Sequence, residues 1–320
     1  MALLKRIDAL AKREDFSPNI GPGMLNDSDD EQAMKLLEQA LSTFETLQAS
    51  AIIAGEDGIH WKTIRRSAEL VKYVSDHSPQ SQGTFNFAAT ALLKPLGPFY
   101  PGAYHTGQGK QFSLGFEAAN VVLDVFKRDP WQAEKATRDL TAELTKHARI
   151  ADRVGSQVAQ ETGWDYAGLD PTPAPLGDVS IGAAIEAFTG RTFGASGTMA
   201  AAQVITAAVK AVPVKQTGYA GLMVPVMEDK LLAQRWAEGA YHVDSLLAYS
   251  SVCGTGLDTI PLPGDVSSQT LERMYADVAS LAWKWKKPLS ARLQPVKGKK
   301  DGEKTQYHSP YLFNTTVRSK

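Results

Sequence analysis

Cys253, the only cysteine among 320 residues, lies where several groups with catalytic potential meet in the sequence. It follows an apolar run over Val243–Val252, which we interpret as a strand, and it precedes the turn Gly254-Thr255-Gly256. Glycine adopts positive φ readily and leaves backbone N–H groups uncovered, so this turn could bind an anion or a polarised carbonyl. Such donors would stabilise a thiolate or an oxyanion, which makes Cys253 a candidate nucleophile or proton carrier and the two glycines candidate substrate-binding residues. The alternative is a small buried apolar residue at a strand end.

Two carboxylates follow the cysteine on either side of the rigid element Pro261-Leu262-Pro263. The fixed φ angles of the prolines would hold Asp258 and Asp265 at a defined separation. Such a pair is suited to acid–base catalysis or to binding a hard cation. The alternative is that Asp258 caps a turn and that Asp265 caps the helix that we predict from Ser267.

Asp178 and Glu186 are two further acidic candidates. Asp178 follows a proline-rich stretch and lies near a predicted helix N-terminus, where it is either a cap or a ligand-binding group. Glu186 lies among apolar residues, so it either faces a cavity and binds substrate or has a polar partner. One interpretation of the acidic residues is a Mg²⁺ or Ca²⁺ site with Asp258 and Asp265 as metal ligands and with Asp178 or Glu186 as a further one.

Asn86, Tyr104 and His105 lie in polar and aromatic surroundings. We interpret His105 as a third catalytic candidate and Asn86 and Tyr104 as substrate-binding candidates, against the alternative of ordinary hydrogen-bonded residues. The six histidines show neither His-x-x-x-His nor His-Glu-x-x-His spacing, so a helix-borne zinc site is disfavoured. Neither a Gly-x-Ser-x-Gly elbow nor a Gly-x-Gly-x-x-Gly motif after a strand is present in the sequence.

The composition favours a compact folded protein and does not favour nucleic-acid binding. With 34 basic and 35 acidic residues the net charge is −1, and 43% of the residues are hydrophobic, so a disordered chain is excluded and nucleic-acid binding has little electrostatic support. The single cysteine fits a reducing compartment, and the first residues lack the apolar core of a signal peptide. We expect a cytoplasmic protein with no membrane partner, and homo-oligomer formation through aromatic residues such as Trp283 and Trp285 stays open.

Apolar periodicity predicts strands that alternate with helices. The period of the apolar residues predicts helices around 34–44, 64–74, 131–158, 179–188, 198–212, 229–238 and 267–285. Short apolar runs predict strands at 84–87, 112–116, 219–224, 243–252 and 289–296. Because no repeat or linker divides this pattern, we expect a single large α/β domain over residues 31–320, with residues 1–30 as a peripheral segment.

Four separated motifs resemble the domain of unknown function 711 family, in the same order and from about Ser50 to the C-terminus. They are Phe85-Asn86-Phe87 with 98–105, Ser180-Ile181-Gly182 with Glu186, 253–258 with 262–265, and 287–293 with Pro295, Val296 and Gly298. The strand-forming segment with which such proteins usually begin has no counterpart in residues 1–30.

The resemblance implies a single barrel of strands surrounded by helices, similar to that of pyruvate formate-lyase and other glycyl radical enzymes. In that architecture a finger hairpin carries a cysteine into the barrel, and residues 243–263 resemble that hairpin. The glycyl radical motif is not found, because the last glycines, Gly298 and Gly302, lie in lysine-rich turns. The cofactor therefore stays open, with a divalent metal as one alternative.

The sequence leaves three functional hypotheses. The first is a non-radical enzyme that acts on a small polar or carboxylate-bearing metabolite, with Cys253 as nucleophile or proton carrier and Asp258 as the acid–base or orienting group. The second is a non-catalytic protein that binds or senses a metabolite. The third is an assembly role, for which Trp283, Trp285 and residues 307–313 would provide apolar surface. A variant of the first hypothesis is an enzyme with a carboxylate-bound divalent metal.

Overall fold

The apolar runs of the sequence form a five-stranded sheet in the computed structural model, which describes residues 1–319. The described strands are β1 (Ala49–Gly55), β2 (Gly58–Ile59), β3 (Phe87–Ala91), β4 (Gln111–Gly115), β5 (Asp165–Asp170), β6 (Gly256–Pro263) and β7 (Leu289–Val296). The described helices are α1 (Ala2–Glu14), α2 (Gln32–Thr43), α3 (Trp61–His77), α4 (Ala119–Arg128), α5 (Ala133–Thr162), α6 (Ile181–Thr189), α7 (Thr198–Lys210), α8 (Lys230–Glu238), α9 (Val243–Ser250) and α10 (Ser268–Trp285). A 3₁₀ helix spans Pro79–Asn86.

The strands of the main sheet lie in the order β2-β1-β3-β7-β6. The pairs β1–β3 and β6–β7 are parallel, whereas β3–β7 is antiparallel. β4 and β5 form a separate parallel pair. Helices surround the strands, and the result is a mixed α/β fold whose main sheet curls into a half-barrel. The predicted α/β class is confirmed at this level.

The two faces of β7 differ in chemistry. Helices α3 and α10 pack against the sheet. Side chains alternate between the faces of a strand, so Leu289, Ala291 and Leu293 lie on one face and Ser290, Arg292 and Gln294 on the other. All eight residues of this strand are buried. Buried polar groups need hydrogen-bond partners, so the residues that face the polar side of β7 are candidates for a functional site.

Most predicted helices are confirmed, and so is the strand at Leu289–Val296, which matches β7 in both bounds. The prediction of a strand at 243–252 is wrong, because Val243–Ser250 is helix α9. Its buried residues Val243, Leu246, Tyr249 and Ser250 follow a helical period, and the Ser245 side chain caps the N-terminus by accepting from His242 N–H. Cys253 therefore follows a helix and not the first strand of a finger hairpin.

Two other strand predictions need correction. Residues 84–86 belong to the 3₁₀ helix, and the strand begins only at Phe87. Residues 219–224 form a loop, and both Gly218, which precedes it, and Ala220, within it, have positive φ. This loop is held by the buried Asp170 carboxylate, which accepts hydrogen bonds from the backbone N–H groups of Tyr219 (2.7 Å) and Ala220 (3.2 Å).

The N-terminal segment, predicted to be peripheral, contacts the rest of the chain at several points. Ala11 and Met24 are buried, and the Asn19 side-chain amide donates to the carbonyl oxygens of Pro101 (2.8 Å) and Ala103 (2.7 Å). In the part of the chain that the structure describes, none of the helices combines the length and apolar character that crossing a membrane requires.

Candidate functional site

A cavity of about 200 Å³ lies on the polar face of β7. It is smaller than the pockets of roughly 300–1,000 Å³ that bind drug-sized ligands. The residues that line it include Ala88, Phe99, Tyr100, Glu117, Leu176, Tyr219, Met223, Glu228, Thr255, Asp258, Ser290, Arg292 and Tyr311. Their side chains combine several ionisable groups with apolar and aromatic walls, which is typical of a small-molecule site.

Three charged side chains in the cavity form one connected group, which we call the ion trio: Glu228, Asp258 and Arg292. The Arg292 guanidinium donates from Nε to Asp258 Oδ1 at 2.5 Å and from Nη2 to Glu228 Oε1. Side-chain exposure is 9% for Arg292, 7% for Asp258 and 21% for Glu228. Two carboxylates thus share a single guanidinium in a largely dehydrated site, and the trio carries a net negative charge when both are ionised.

A β-bulge brings Asp258 beside Arg292. In the ladder between β6 and β7, Leu257 pairs with Ala291 and Ile260 pairs with Leu293, so Asp258 and its successor together lie opposite Arg292. The successor is Thr259, a β-branched residue with φ of 49°. That conformation is rare for such residues, and bulges of this kind re-aim side chains next to functional sites.

Glu228 reaches the trio from a segment that runs along the other side of β6. Val226 N–H donates to the Asp258 carbonyl at 3.0 Å, and Met227 N–H donates to the Thr259 hydroxyl at 3.0 Å. Neighbouring extended segments lie about 4.8 Å apart, so residues 225–228, β6 and β7 can present three side chains to one another. The next residue, Asp229, caps helix α8 and fixes the end of this segment.

Burial raises the pKa of Glu228 from its usual range to about 7, against the opposing effect of Arg292 and with a further increase from the Asp258 charge. Burial is the main cause because it penalises the ionised carboxylate, and the Arg292 guanidinium, which Glu228 shares with Asp258, offsets this effect only in part. Glu228 is therefore a group that exchanges a proton near neutral pH.

Tyr219 closes one wall of the cavity with a side chain that is 7% exposed. Burial raises the pKa of its hydroxyl group, so the phenol stays protonated. A Cβ atom at Gly102 would lie 2.6 Å from this hydroxyl oxygen, which explains the glycine at that position.

Cys253 lies outside the cavity lining that the described residues form. It is 2% exposed and packs in the apolar core, with its Sγ 3.9 Å from Ser250 Oγ. The adjoining backbone groups already have partners, because Cys253 N–H donates to Tyr249 O at 2.9 Å and Gly254 N–H donates to Leu222 O at 3.0 Å. Gly256 has φ of 90° and lies against the Ser290 carbonyl, so it serves the close approach of β6 to β7.

The thiol of Cys253 is expected to react with a water-soluble disulfide reagent such as Ellman's reagent only when the protein opens. A thiol that is 2% exposed must first become accessible, so the labelling rate should rise with urea in step with unfolding. The measurement is the absorbance of the released thiolate at increasing urea, with Ser17→Cys, at an exposed position, as the accessible control. Rapid labelling of the native wild-type thiol would contradict the burial and favour the nucleophile hypothesis.

The other sequence-based candidates are separated from the ion trio. Tyr104 donates its hydroxyl to Leu93 O at 3.0 Å, and His105 pairs through Nε2 with Gln111 Oε1, in a neighbouring groove that shares only Tyr100 with the cavity. The Asn86 amide donates to Glu45 O at 2.9 Å. These contacts fit the alternative of hydrogen-bonded structural residues.

Glu186 has a partner instead of a place at the cavity. Arg235 donates to its two carboxylate oxygens from Nε at 2.7 Å and from Nη2 at 3.0 Å, and Phe193 N–H donates to Oε1 at 2.8 Å. The carboxylate therefore joins helices α6 and α8 and orders the turn that follows α6.

The two predicted metal ligands are both exposed, and the structure does not place them in the cavity. Asp178 pairs with Lys230 at 2.8 Å and has 81% of its side chain exposed. Asp265 lies in the turn before α10, and the cap of that helix is Ser267, whose hydroxyl accepts from Thr270 N–H at 3.1 Å, so the expected Asp265 cap is wrong. Within residues 1–319 no group of three or more His, Cys, Asp and Glu side chains could hold a metal ion.

Of the sequence-based site residues, Asp258 is the one that lines the cavity. Sequence reasoning missed Glu228 and Tyr219 and treated Arg292 only as part of a family motif. A usable signal was present in Leu289–Val296, where an arginine alternates with apolar residues in a run long enough for a buried strand. A charged residue there requires a buried partner, but the sequence alone does not distinguish Asp258 from Asp265, Glu272 and Asp277, which lie nearer to Arg292 along the chain.

The fold and the cavity define a mixed α/β protein with an acidic, small-molecule-sized site on its sheet. The chain belongs to the family described as Uncharacterised ACR (DUF711), whose family model matches residues 2–309. This confirms the predicted family and extends the match into the N-terminal segment.

Several relatives share the similarity over most of this chain. A UPF0210 protein of Pyrobaculum aerophilum is 34% identical over 286 residues, which cover 86% of this chain and 62% of that protein. A UPF0210 protein of Methanocaldococcus jannaschii is 30% identical over 80% of this chain and 58% of its own length. A UPF0210 protein of Listeria monocytogenes is 28% identical over 87% of this chain and 64% of its own length. The chain thus spans about three fifths of the length of these relatives.

Proposed function

We propose that this protein is an enzyme that transfers a proton to or from a small polar molecule held in the cavity, with Glu228 as the acid–base group. The observation that carries the proposal is the ion trio, in which two carboxylates share one guanidinium inside a cavity. General acid–base catalysis works best when the pKa of the group lies near the working pH. The value of about 7 for Glu228 meets that condition.

Each member of the trio has a distinct role in this proposal. Glu228 is the member with the largest exposed fraction, 21%, so it is the one that can touch a ligand. Arg292 positions both carboxylates, and Asp258 occupies Nε of the guanidinium and raises the proton affinity of Glu228. Perturbed carboxylates in clefts are common at catalytic sites, although structural ion pairs also produce them.

The same cavity would serve a non-catalytic protein that binds or senses a metabolite. The two functions differ in what Glu228 does, because a binding protein uses its charge or its hydrogen bond but not its proton transfer. A variant that keeps the shape and removes the proton therefore separates them.

Glu228→Gln is expected to lower the turnover rate strongly while the fold and the cavity remain. General acid–base groups contribute roughly 10²- to 10⁴-fold to rates, so the loss should lie in that range. Metabolites that raise the melting temperature of the wild-type protein are first selected from a library, since a ligand that binds the native state stabilises it. Each is then incubated with wild type and variant, and conversion is followed by mass spectrometry. Carbon-detected NMR of labelled glutamate carboxyl groups should show one resonance titrating near pH 7 that the variant lacks.

The control is Glu31→Gln, which removes a carboxylate that pairs with Arg66 outside the cavity, with 30% of its side chain exposed. Equal conversion by Glu228→Gln and wild type would contradict the proposal. Binding without conversion in both proteins would favour the sensing function.

Two further parts of the sequence-based interpretation stay proposals. The curled sheet supports a relation to the barrel of glycyl radical enzymes, which an experimental structure of a longer relative would test. The single cysteine supports a reducing, cytoplasmic location.

A further inference from the structure

The ionisable groups of the cavity are predominantly acidic. Three carboxylates line it, from Glu117, Glu228 and Asp258, against the single guanidinium of Arg292. Glu117 lies at the exposed side, and the other two lie inside. The cavity therefore has an excess of negative charge, which disfavours the carboxylate-bearing metabolite that the sequence suggested.

Among the described residues, the cation in the cavity lining, Arg292, already has partners. Arg292 donates to Asp258 from Nε and to Glu228 from Nη2, and its guanidinium carbon lies 5.2 Å from the centre of the Phe85 ring. An incoming carboxylate would have to displace one of two internal carboxylates to obtain a bidentate contact. An incoming cation would instead neutralise the excess negative charge of the trio.

The outer part of the cavity is aromatic. Tyr100 and Tyr311 line it with 50% and 56% of their surface exposed, and Phe99 lies beside them. Aromatic faces attract ammonium and guanidinium groups, and cages of such residues recognise organic cations. The aromatic outer part and the acidic interior are independent features that favour the same charge on the ligand.

The hydroxyl group of Tyr219 supplies a polar contact to the ligand. The residue is 7% exposed and lines the cavity, and Ser290, which also lines it, is a hydrogen-bonding neighbour of this hydroxyl group. A phenol hydroxyl group has one donor and acceptor lone pairs, so the Tyr219 hydroxyl can also contact a hydroxyl or carbonyl oxygen of a ligand.

We propose that the cavity binds a small organic cation that also carries a hydroxyl or carbonyl oxygen, with the cationic group at Glu228 and the oxygen at Tyr219. This inference names the substrate class for the site of the proposed function and rests on it for the location alone. The volume of about 200 Å³ restricts the ligand to a small molecule, of which an amino alcohol is the simplest example.

Binding of such a cation is coupled to the proton of Glu228. The charged and titratable groups that share the cavity with it are Arg292, Asp258, Glu117, Tyr100, Tyr219 and Tyr311. A cation favours the ionised carboxylate, so binding releases a proton wherever Glu228 is protonated in the free protein. With a pKa of about 7 for Glu228, the ionised fraction and hence the affinity should rise about tenfold from pH 6 to pH 8.

The test compares four probes of similar size by isothermal titration calorimetry: 2-aminoethanol, ethylamine, ethylene glycol and glycolate. We expect 2-aminoethanol to bind with the highest affinity and glycolate with the lowest. Titrations in buffers of different ionisation enthalpy should show proton release near pH 7. Glu228→Gln should weaken 2-aminoethanol binding at least tenfold and remove its pH dependence, whereas Glu31→Gln should leave both unchanged. Tyr219→Phe should weaken 2-aminoethanol but not ethylamine, because only the former has an oxygen for the hydroxyl.

Several results would overturn the inference. Glycolate or ethylene glycol binding as tightly as 2-aminoethanol would do so, as would equal binding of 2-aminoethanol by Glu228→Gln. Undetectable binding of 2-aminoethanol at about 10 mM would also end it, since even a millimolar ligand is measurable there. The proposed function has a separate test: it fails if Glu228→Gln converts the selected metabolites as fast as the wild type does. An anionic metabolite that is converted only by the wild type would reject the cation and keep the enzyme.

Discussion

Replacing Asp229 with alanine is expected to lower the free energy of unfolding by about 3–5 kcal/mol, because this one carboxylate caps two helices. It is fully buried and accepts hydrogen bonds from Ser180 Oγ (2.7 Å), from the N–H groups of Ile181 (2.7 Å) and Gly182 (3.2 Å), and from those of Leu231 (3.0 Å) and Leu232 (3.1 Å). Alanine would leave donors of α6 and α8 without partners at a site that water does not reach. The measurement is the urea midpoint and slope followed by circular dichroism.

A matched control for Asp229 is Asp178, a surface carboxylate that pairs with Lys230, the first residue of α8. Asp178→Ala should change stability by less than about 1 kcal/mol. The effect of Asp229→Asn on stability should fall between the two. Asparagine keeps one acceptor oxygen, but it replaces the other with an NH₂ group that faces N–H donors. Equal midpoints for Asp229→Ala and Asp178→Ala would show that the double cap contributes little.

Replacing Arg292 with methionine is expected to destabilise the fold by about 3–5 kcal/mol at pH 8, the range for removing one partner from a buried ion pair. Methionine approximates the volume of the aliphatic part of the side chain, so the main loss is the charge that Asp258 and Glu228 share. Both carboxylates would then be buried without a cation, and their ionised forms would become unfavourable.

The destabilisation by Arg292→Met should depend on pH with a definite sign. Loss of the cation removes the effect that lowers the pKa of Glu228, so its folded-state pKa rises further above its unfolded value. A proton is then bound more tightly by the folded state, so stability falls as pH rises from about 4 through the raised folded-state pKa of Glu228. The penalty should therefore be smaller at about pH 5 than at about pH 8, in urea unfolding at both values.

Neutralising the carboxylates should restore stability in the Arg292→Met background. The combination with Asp258→Asn and Glu228→Gln removes the uncompensated charges, and it should recover part of the loss at pH 8 and lose the pH dependence. A penalty that is independent of pH and survives in the triple variant would mean that Arg292 acts through packing, including its contact with Phe85, and not through charge.

Local patterns predicted much of the secondary structure. The apolar period of α10 and the buried alternation of β7 were readable because each element satisfies its pattern within a single run of residues. The period failed at α9, where an eight-residue helix with few polar positions resembles an apolar strand. Short apolar runs are ambiguous in this way, since either structure can bury them.

The sequence by itself determined the family, the α/β class and the location of one site residue, Asp258. It did so because family motifs, apolar periods and a glycine-rich turn are properties of contiguous residues. The pairing of Asp258 with Arg292 and of Arg292 with Glu228 joins positions 34 and 64 residues apart, and only the tertiary structure decided it. The physical reason is that the bulge at Thr259 and the segment before Asp229 set which side chains meet, and the burial that follows sets their charge.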